Sequence, residues 1–88
     1  MSNIYQIYLI SDSTGETLDR IFLALKAQFS NFEYNNHQFS FTRTESQIST
    51  ILKNAKMQDS PIILYTVVNS KLAKFLAEEA NKISIPCF

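Results

Sequence analysis

Residues 4–25 read IYQIYLISDSTGETLDRIFLAL, and the change of pattern inside this stretch decides the fold. Ile4 to Ile10 is a nearly continuous apolar run of strand length, whereas from Thr17 onward Leu18, Ile21, Phe22, Leu25 and Phe29 recur at helical spacing. Between the two lies SDSTGET, Ser11 to Thr17, which holds Gly15, the one glycine of the chain. A strand that stops at a glycine and turns into a helix gathers backbone N–H groups and the positive end of a helix dipole at one spot, which suits an anion such as phosphate. Ser, Asp and Thr ahead of a helix are also the commonest N-caps, so the stretch reads equally well as a helix start and nothing more.

The same switch of period recurs along the chain. Asn36 to Thr42 alternates, with His37, Phe39 and Phe41 on one side and Gln38, Ser40 and Thr42 on the other, as an edge strand does. Thr44 with Gln47 three residues on forms a capping box, and Ile48, Ile51, Leu52 and Ala55 then mark a buried helical stripe. Pro61 to Val68 reads as a third strand, Asn69 or Ser70 as a cap, and Leu72, Phe75, Leu76 and Ala80 as a third helical stripe. Ile83 to Phe88 opens a fourth strand. Strict alternation of strands and helices predicts an α/β fold, a three-layer doubly wound parallel sheet of βαβαβαβ form. The half-exposed pattern of the second strand favours the order 2-1-3-4. Residues 1–88 make one domain, and a sheet finishing on the apolar strand SIPCF with no helix to cover it reads as part of something longer.

Composition narrows the function classes. Eight basic against eight acidic residues leave no net field to attract nucleic acid or an anionic membrane. The N-terminus has no basic leader and its apolar run breaks after seven residues, so neither a signal peptide nor a membrane span is expected and the protein reads as cytoplasmic. One cysteine, Cys87, excludes an internal disulfide, and with a lone His37 it leaves no ligand set for a metal. His37 reads as structural or solvent-facing, and Cys87 as a small core residue rather than a nucleophile.

In sheets of this kind ligands bind beyond the carboxyl ends of the strands, where neighbouring connections diverge. The loops expected there are SDSTG, Thr42 to Thr44 and Val68 to Ser70. They make Ser11, Asp12, Ser13, Thr14, Gly15, Glu16, Thr17, Arg43 and Ser70 the candidate phosphate or substrate site, with no catalytic residue assignable. The plainer reading puts Arg43 on the surface beside a capping box. A Walker A loop or a dinucleotide fingerprint needs two or three glycines, so this chain carries no recognisable triphosphate or NAD site.

IYLISDSTGETLDRI (7–21), TRTESQI (42–48), ILYTVVNSKL (63–72) and IPCF (85–88) together resemble the N-terminal portion of the bacterial and plant pyruvate, phosphate dikinase regulatory proteins, a family that includes the phosphoenolpyruvate synthase regulators. The resemblance implies a bifunctional enzyme. One activity is a serine/threonine kinase using ADP as donor on the dikinase or synthase. The other is a phosphorylase that removes the group with inorganic phosphate and releases pyrophosphate. It implies too that the nucleotide-binding Walker-type loop lies beyond Phe88, so that these residues alone are inactive and hold no cofactor tightly. The bare sheet edge and apolar face lead us to expect self-association. Two alternatives stay open. Thr14-Gly15-Glu16-Thr17 is similar to the phosphate loop of flavodoxin, which would make the chain an FMN-binding electron carrier; a non-catalytic structural half-domain needs no ligand at all.

Overall fold

The computed structural model describes residues 4–28 and 33–88. Three strands, β1 (Ile4–Ser11), β2 (Glu33–Phe39) and β3 (Pro61–Thr66), alternate with three helices, α1 (Glu16–Gln28), α2 (Glu45–Lys56) and α3 (Ser70–Lys82). The sheet is wholly parallel in the order β2-β1-β3, with Tyr8 opposite both His37 and Ile63. This is the α/β architecture and the order of the first three strands that the sequence predicts.

Two cores lie on the two faces of the sheet. On one, Tyr8, Ile10 and Ile63 pack against Ile48, Ile51, Leu52 and Ala55 of α2, against Leu76 and Ala80 of α3, and against Ile85. Each fully buried aliphatic side chain contributes roughly 1.5 to 3 kcal/mol there. Tyr8 is completely buried, stacks on His37 with ring centroids 4.7 Å apart, and donates its hydroxyl to Asn54 Oδ1 at 2.9 Å. The phenol therefore has a partner inside an apolar layer, where an unpaired hydroxyl costs free energy. On the opposite face Ile7 and Leu9 meet only Leu18 and Phe22 of α1, with Tyr5, Tyr34, Ile62 and Leu64 around them.

That asymmetry corrects the reading of α1. Leu18 and Phe22 are buried, but Ile21 and Leu25, expected on the same stripe, are 44% and 40% exposed. A helix alone on its face buries one narrow row, whereas α2 and α3 also cover each other's flanks. Phe29, the last residue of the expected stripe, lies outside the described residues.

The second strand runs from Glu33 to Phe39 rather than from Asn36 to Thr42, and Phe41 leaves the alternation with a φ of +56°. Phe41 N–H bonds Ser13 O at 2.9 Å while Thr42 N–H bonds Ser11 O at 2.8 Å. Partners falling from 13 to 11 as the chain rises from 41 to 42 mean that the backbone has reversed direction past Phe39, which a continuing parallel strand cannot do. The third strand ends at Thr66, two residues early, because the N–H of Val68 turns to the carboxylate of Asp12.

The expected fourth strand, Ile83 to Phe88, is reduced to a single parallel bridge between Cys87 and Ile63, flanked by bonds from Ile63 N to Pro86 O and from Tyr65 N to Phe88 O. It sits on the free side of β3, where the order 2-1-3-4 places it. The residues before it are taken by the end of α3. Ser84 N bonds Asn81 O and Ile85 N bonds Ala80 O, with Ser84 at a φ of +58°. This is a Schellman motif, and the apolar contact it calls for is made by Ile85 beside Ala80 in the core.

Candidate functional site

The three loops expected at one rim are joined there by their own hydrogen bonds. Ser11, the last residue of β1, is buried; its Oγ accepts from Ser13 N at 3.1 Å and from Thr66 Oγ1 at 3.4 Å, and lies 3.2 Å from Ser13 Oγ. Asp12 is the junction. Its N–H donates to Thr66 O at 3.3 Å, its carbonyl accepts from Arg43 Nε at 3.0 Å, and its carboxylate accepts from Val68 N at 2.8 Å. One acidic group of the loop is thereby spent on a backbone donor ahead of α3. Ser13 O and Thr14 O accept from Phe41 N and Ser40 Oγ, so the β1–α1 connection is tied to the β2–α2 connection along its length.

Gly15 is buried with a φ of +86°, a conformation that other residues adopt at a cost. A Cβ at this position would lie 2.9 Å from Gln38 Nε2, which itself donates to Asp19 Oδ1. The carbonyl of Gly15 accepts the first bond of α1, from Asp19 N at 2.9 Å. Glu16 and Thr17 stand exposed in the first turn.

The helix starts differ in how their first N–H groups are satisfied. Thr44 and Gln47 close a full capping box on α2, and Asn69 Oδ1 accepts from both Lys71 N and Leu72 N of α3. At α1 no hydroxyl or carboxylate of the described residues accepts from Glu16, Thr17 or Leu18, although Ser11, Ser13 and Thr14 precede them. Those hydroxyls therefore do not act as the N-caps that the plainer reading required. The hydroxyls of Thr14 and Thr17 and the N–H groups of Glu16, Thr17 and Leu18 at the start of α1 have no hydrogen-bond partner among the described residues, an arrangement able to take an anion's oxygens.

Arg43 comes to this loop through Asp12 O, with its guanidinium carbon 5.3 Å from the centroid of the Phe41 ring. Ser70 does not join it by a hydrogen bond; it is the exposed first residue of α3, next to the Asn69 cap. Four residues of the rim, Ser40, Phe41, Thr66 and Val68, were not among the sequence candidates. By its alternation the sequence puts Ser40 and Phe41 in a strand, and nothing in the local pattern marks a chain reversal there. His37 pairs its Nε2 with Gln6 Oε1 at 2.7 Å and stacks on Tyr8, and makes no hydrogen bond to the Ser11–Thr17 loop. Burial pushes the Cys87 thiol up to about 11, which disfavours the thiolate. No described helix is long and apolar enough to cross a membrane.

Comparison with known proteins places the chain in a family. A family model described as kinase/pyrophosphorylase matches residues 7–88. The chain is 62% identical over its 88 residues to a pyruvate, phosphate dikinase regulatory protein of Pelagibacter ubique (strain HTCC1062), covering 100% of this chain and 32% of that protein. It is 43% identical over 76 residues to one of Geotalea uraniireducens (strain Rf4), covering 86% of this chain and 28% of that protein. It is 40% identical over 80 residues to one of Alkaliphilus oremlandii (strain OhILAs), 91% of this chain and 28% of that protein. The chain thus spans about a third of the length of these relatives. With the match running from the middle of β1 to Phe88, the chain belongs to the kinase/pyrophosphorylase family.

Proposed function

We propose that these 88 residues are the N-terminal domain of a bifunctional regulator that phosphorylates a threonine of pyruvate, phosphate dikinase or phosphoenolpyruvate synthase with ADP as donor, and transfers that phosphoryl group back off the threonine to inorganic phosphate, giving pyrophosphate. The observation that carries this reading is the family match over residues 7–88, supported by relatives named as dikinase regulators. Within it, Ser11 to Thr17 with Arg43 serve to hold a phosphate group, while the nucleotide loop lies elsewhere in the full-length protein. Ser70 is kept as an outer contact on the same rim. The domain works in the cytoplasm and associates with a second copy of itself.

The test is a chimera. Replacing the matching third of the Pelagibacter relative by residues 1–88 should preserve ADP-dependent phosphothreonine formation on the dikinase, whereas residues 1–88 alone should leave the threonine unmodified. A folded chimera without activity, or phosphothreonine made by the 88 residues alone above a protein-free control, overturns the proposal.

A further inference from the structure

Phe41 is an unexpected residue for its backbone. A φ of +56° is the region that glycine and asparagine occupy at little cost, and a bulky aromatic there is an outlier. Two groups hold it in place, Ser13 O on its N–H and Gln47 Nε2 on its carbonyl at 3.4 Å. The chain reversal at this point requires the conformation but not the ring, which is 52% exposed and joins neither core cluster. What the ring does touch is Arg43, whose guanidinium carbon lies 5.3 Å from its centroid.

Arg43 is fixed from a second side by the bond from its Nε to Asp12 O, and the ion pairs found among the described residues, Lys74 with Glu78 and Lys82 with Glu79, do not involve it. The two terminal nitrogens accordingly have no partner among the described residues. A guanidinium held over an aromatic ring, anchored through Nε to the Ser11–Thr17 loop and left with its two terminal nitrogens unpartnered among the described residues, can take a tetrahedral oxyanion.

We propose that Phe41 is a positioning residue, its ring holding Arg43 as a preformed ligand for a phosphate group seated at the Ser11–Thr17 loop. This rests on the reading of that loop as a phosphate site, and adds to it the device that fixes the charge. A phosphorylated side chain of a protein partner and free phosphate or pyrophosphate present the same oxygens, so each is a separate arm of the test.

The experiment titrates the 88-residue chain with phosphate, pyrophosphate and a phosphothreonine peptide, following backbone amides and the Arg43 Nε–H signal by nuclear magnetic resonance. Phe41→Asn removes the ring but suits the left-handed backbone, so the fold survives; Phe41→Tyr restores a ring. Loss of the stacking contact should weaken binding about three- to fivefold in Phe41→Asn. Phe41→Tyr should stay within about twofold of the parent, since its ring offers the same face. Arg43→Lys should bind weakly whether or not the ring is present, because the ring acts only through the arginine. Shifts at Ser13 to Thr17 that are equally strong in Phe41→Asn overturn the positioning role and leave the loop reading standing. Shifts at Arg43 without any at the loop overturn the loop reading while keeping the clamp, and no shifts at either overturn both. Saturation by the peptide at lower concentration than by the free anions assigns the site to a protein-borne phosphate; the reverse order assigns it to the free anion.

Discussion

Two residues in the left-handed region, Gly15 and Ser84, show how differently the chain meets the same backbone demand. At Gly15 the demand is met by the residue that suits it, and a side chain would press on Gln38 within the loop. At Ser84 a Schellman turn at the end of α3 is made without its usual glycine. Gly15→Ala is expected to destabilise the domain by about 1 to 2 kcal/mol, the cost of a left-handed Cβ, and to perturb the amides of Ser13 to Thr17. Ser84→Gly should instead stabilise it by about 0.5 to 1 kcal/mol, since relief of that cost exceeds the added flexibility of the unfolded chain. Urea denaturation of both variants against the parent checks the pair, and equal signs for the two substitutions would contradict the account. Gly15 was readable from its isolation in the sequence. Ser84 was not, because serine carries no signal of positive φ and the following residues look like a strand.

The helices differ in how much of their apolar pattern they use. In α2 every residue of the predicted stripe, Ile48, Ile51, Leu52 and Ala55, is buried, because the helix packs on the sheet and against α3. In α1 the stripe has five residues in the sequence, and of the described four only Leu18 and Phe22 are buried. Periodicity gives the direction of an apolar face, whereas the width covered depends on neighbours that the local sequence does not name. Leu76→Ala, at a fully buried position of α3, should cost about 2 to 5 kcal/mol through lost contacts and the cavity left behind. Leu25→Ala on α1, measured at concentrations too low for association, should change stability by less than about 0.5 kcal/mol. Comparable losses at both positions in chemical denaturation would mean that α1 is covered in solution by something that the isolated chain supplies itself.

At the scale of the whole molecule the sheet has two helices on one face and one on the other, with Ile21, Leu23 and Leu25 exposed along α1 and Ile62 and Leu64 half-buried near it. The far edge of β3 carries a single bridge, and Phe88 beside it is mostly exposed. Exposed apolar side chains on α1 together with an incompletely paired edge favour association with another chain. The 88-residue protein is expected to dimerise in sedimentation velocity at concentrations of tens of micromolar or above, and Leu25→Lys to shift it toward monomer. A parent chain that stays monomeric throughout, or a Leu25→Lys dimer of undiminished affinity, argues against this face.

The parallel α/β plan, the order of the three strands, the cap at Thr44 and the location of the candidate loop were legible in the sequence, which left the α3 cap open between Asn69 and Ser70. Those features depend on local chemistry: hydrophobic period, a capping oxygen three residues from its partner, and a glycine between strand and helix. It also carried the family resemblance in the Ser11 to Thr17 stretch. Only the tertiary structure decided that Ser11, Ser13 and Thr14 leave the start of α1 uncapped. It alone turned Asp12 toward Val68 and Arg43 toward the Asp12 carbonyl, and it left Ile21 and Leu25 of the α1 stripe exposed. Arg43 and the Asp12 carbonyl are 31 positions apart and Asp12 and Val68 are 56, and a side chain with several possible partners takes the one that the packing of strands and helices brings within reach.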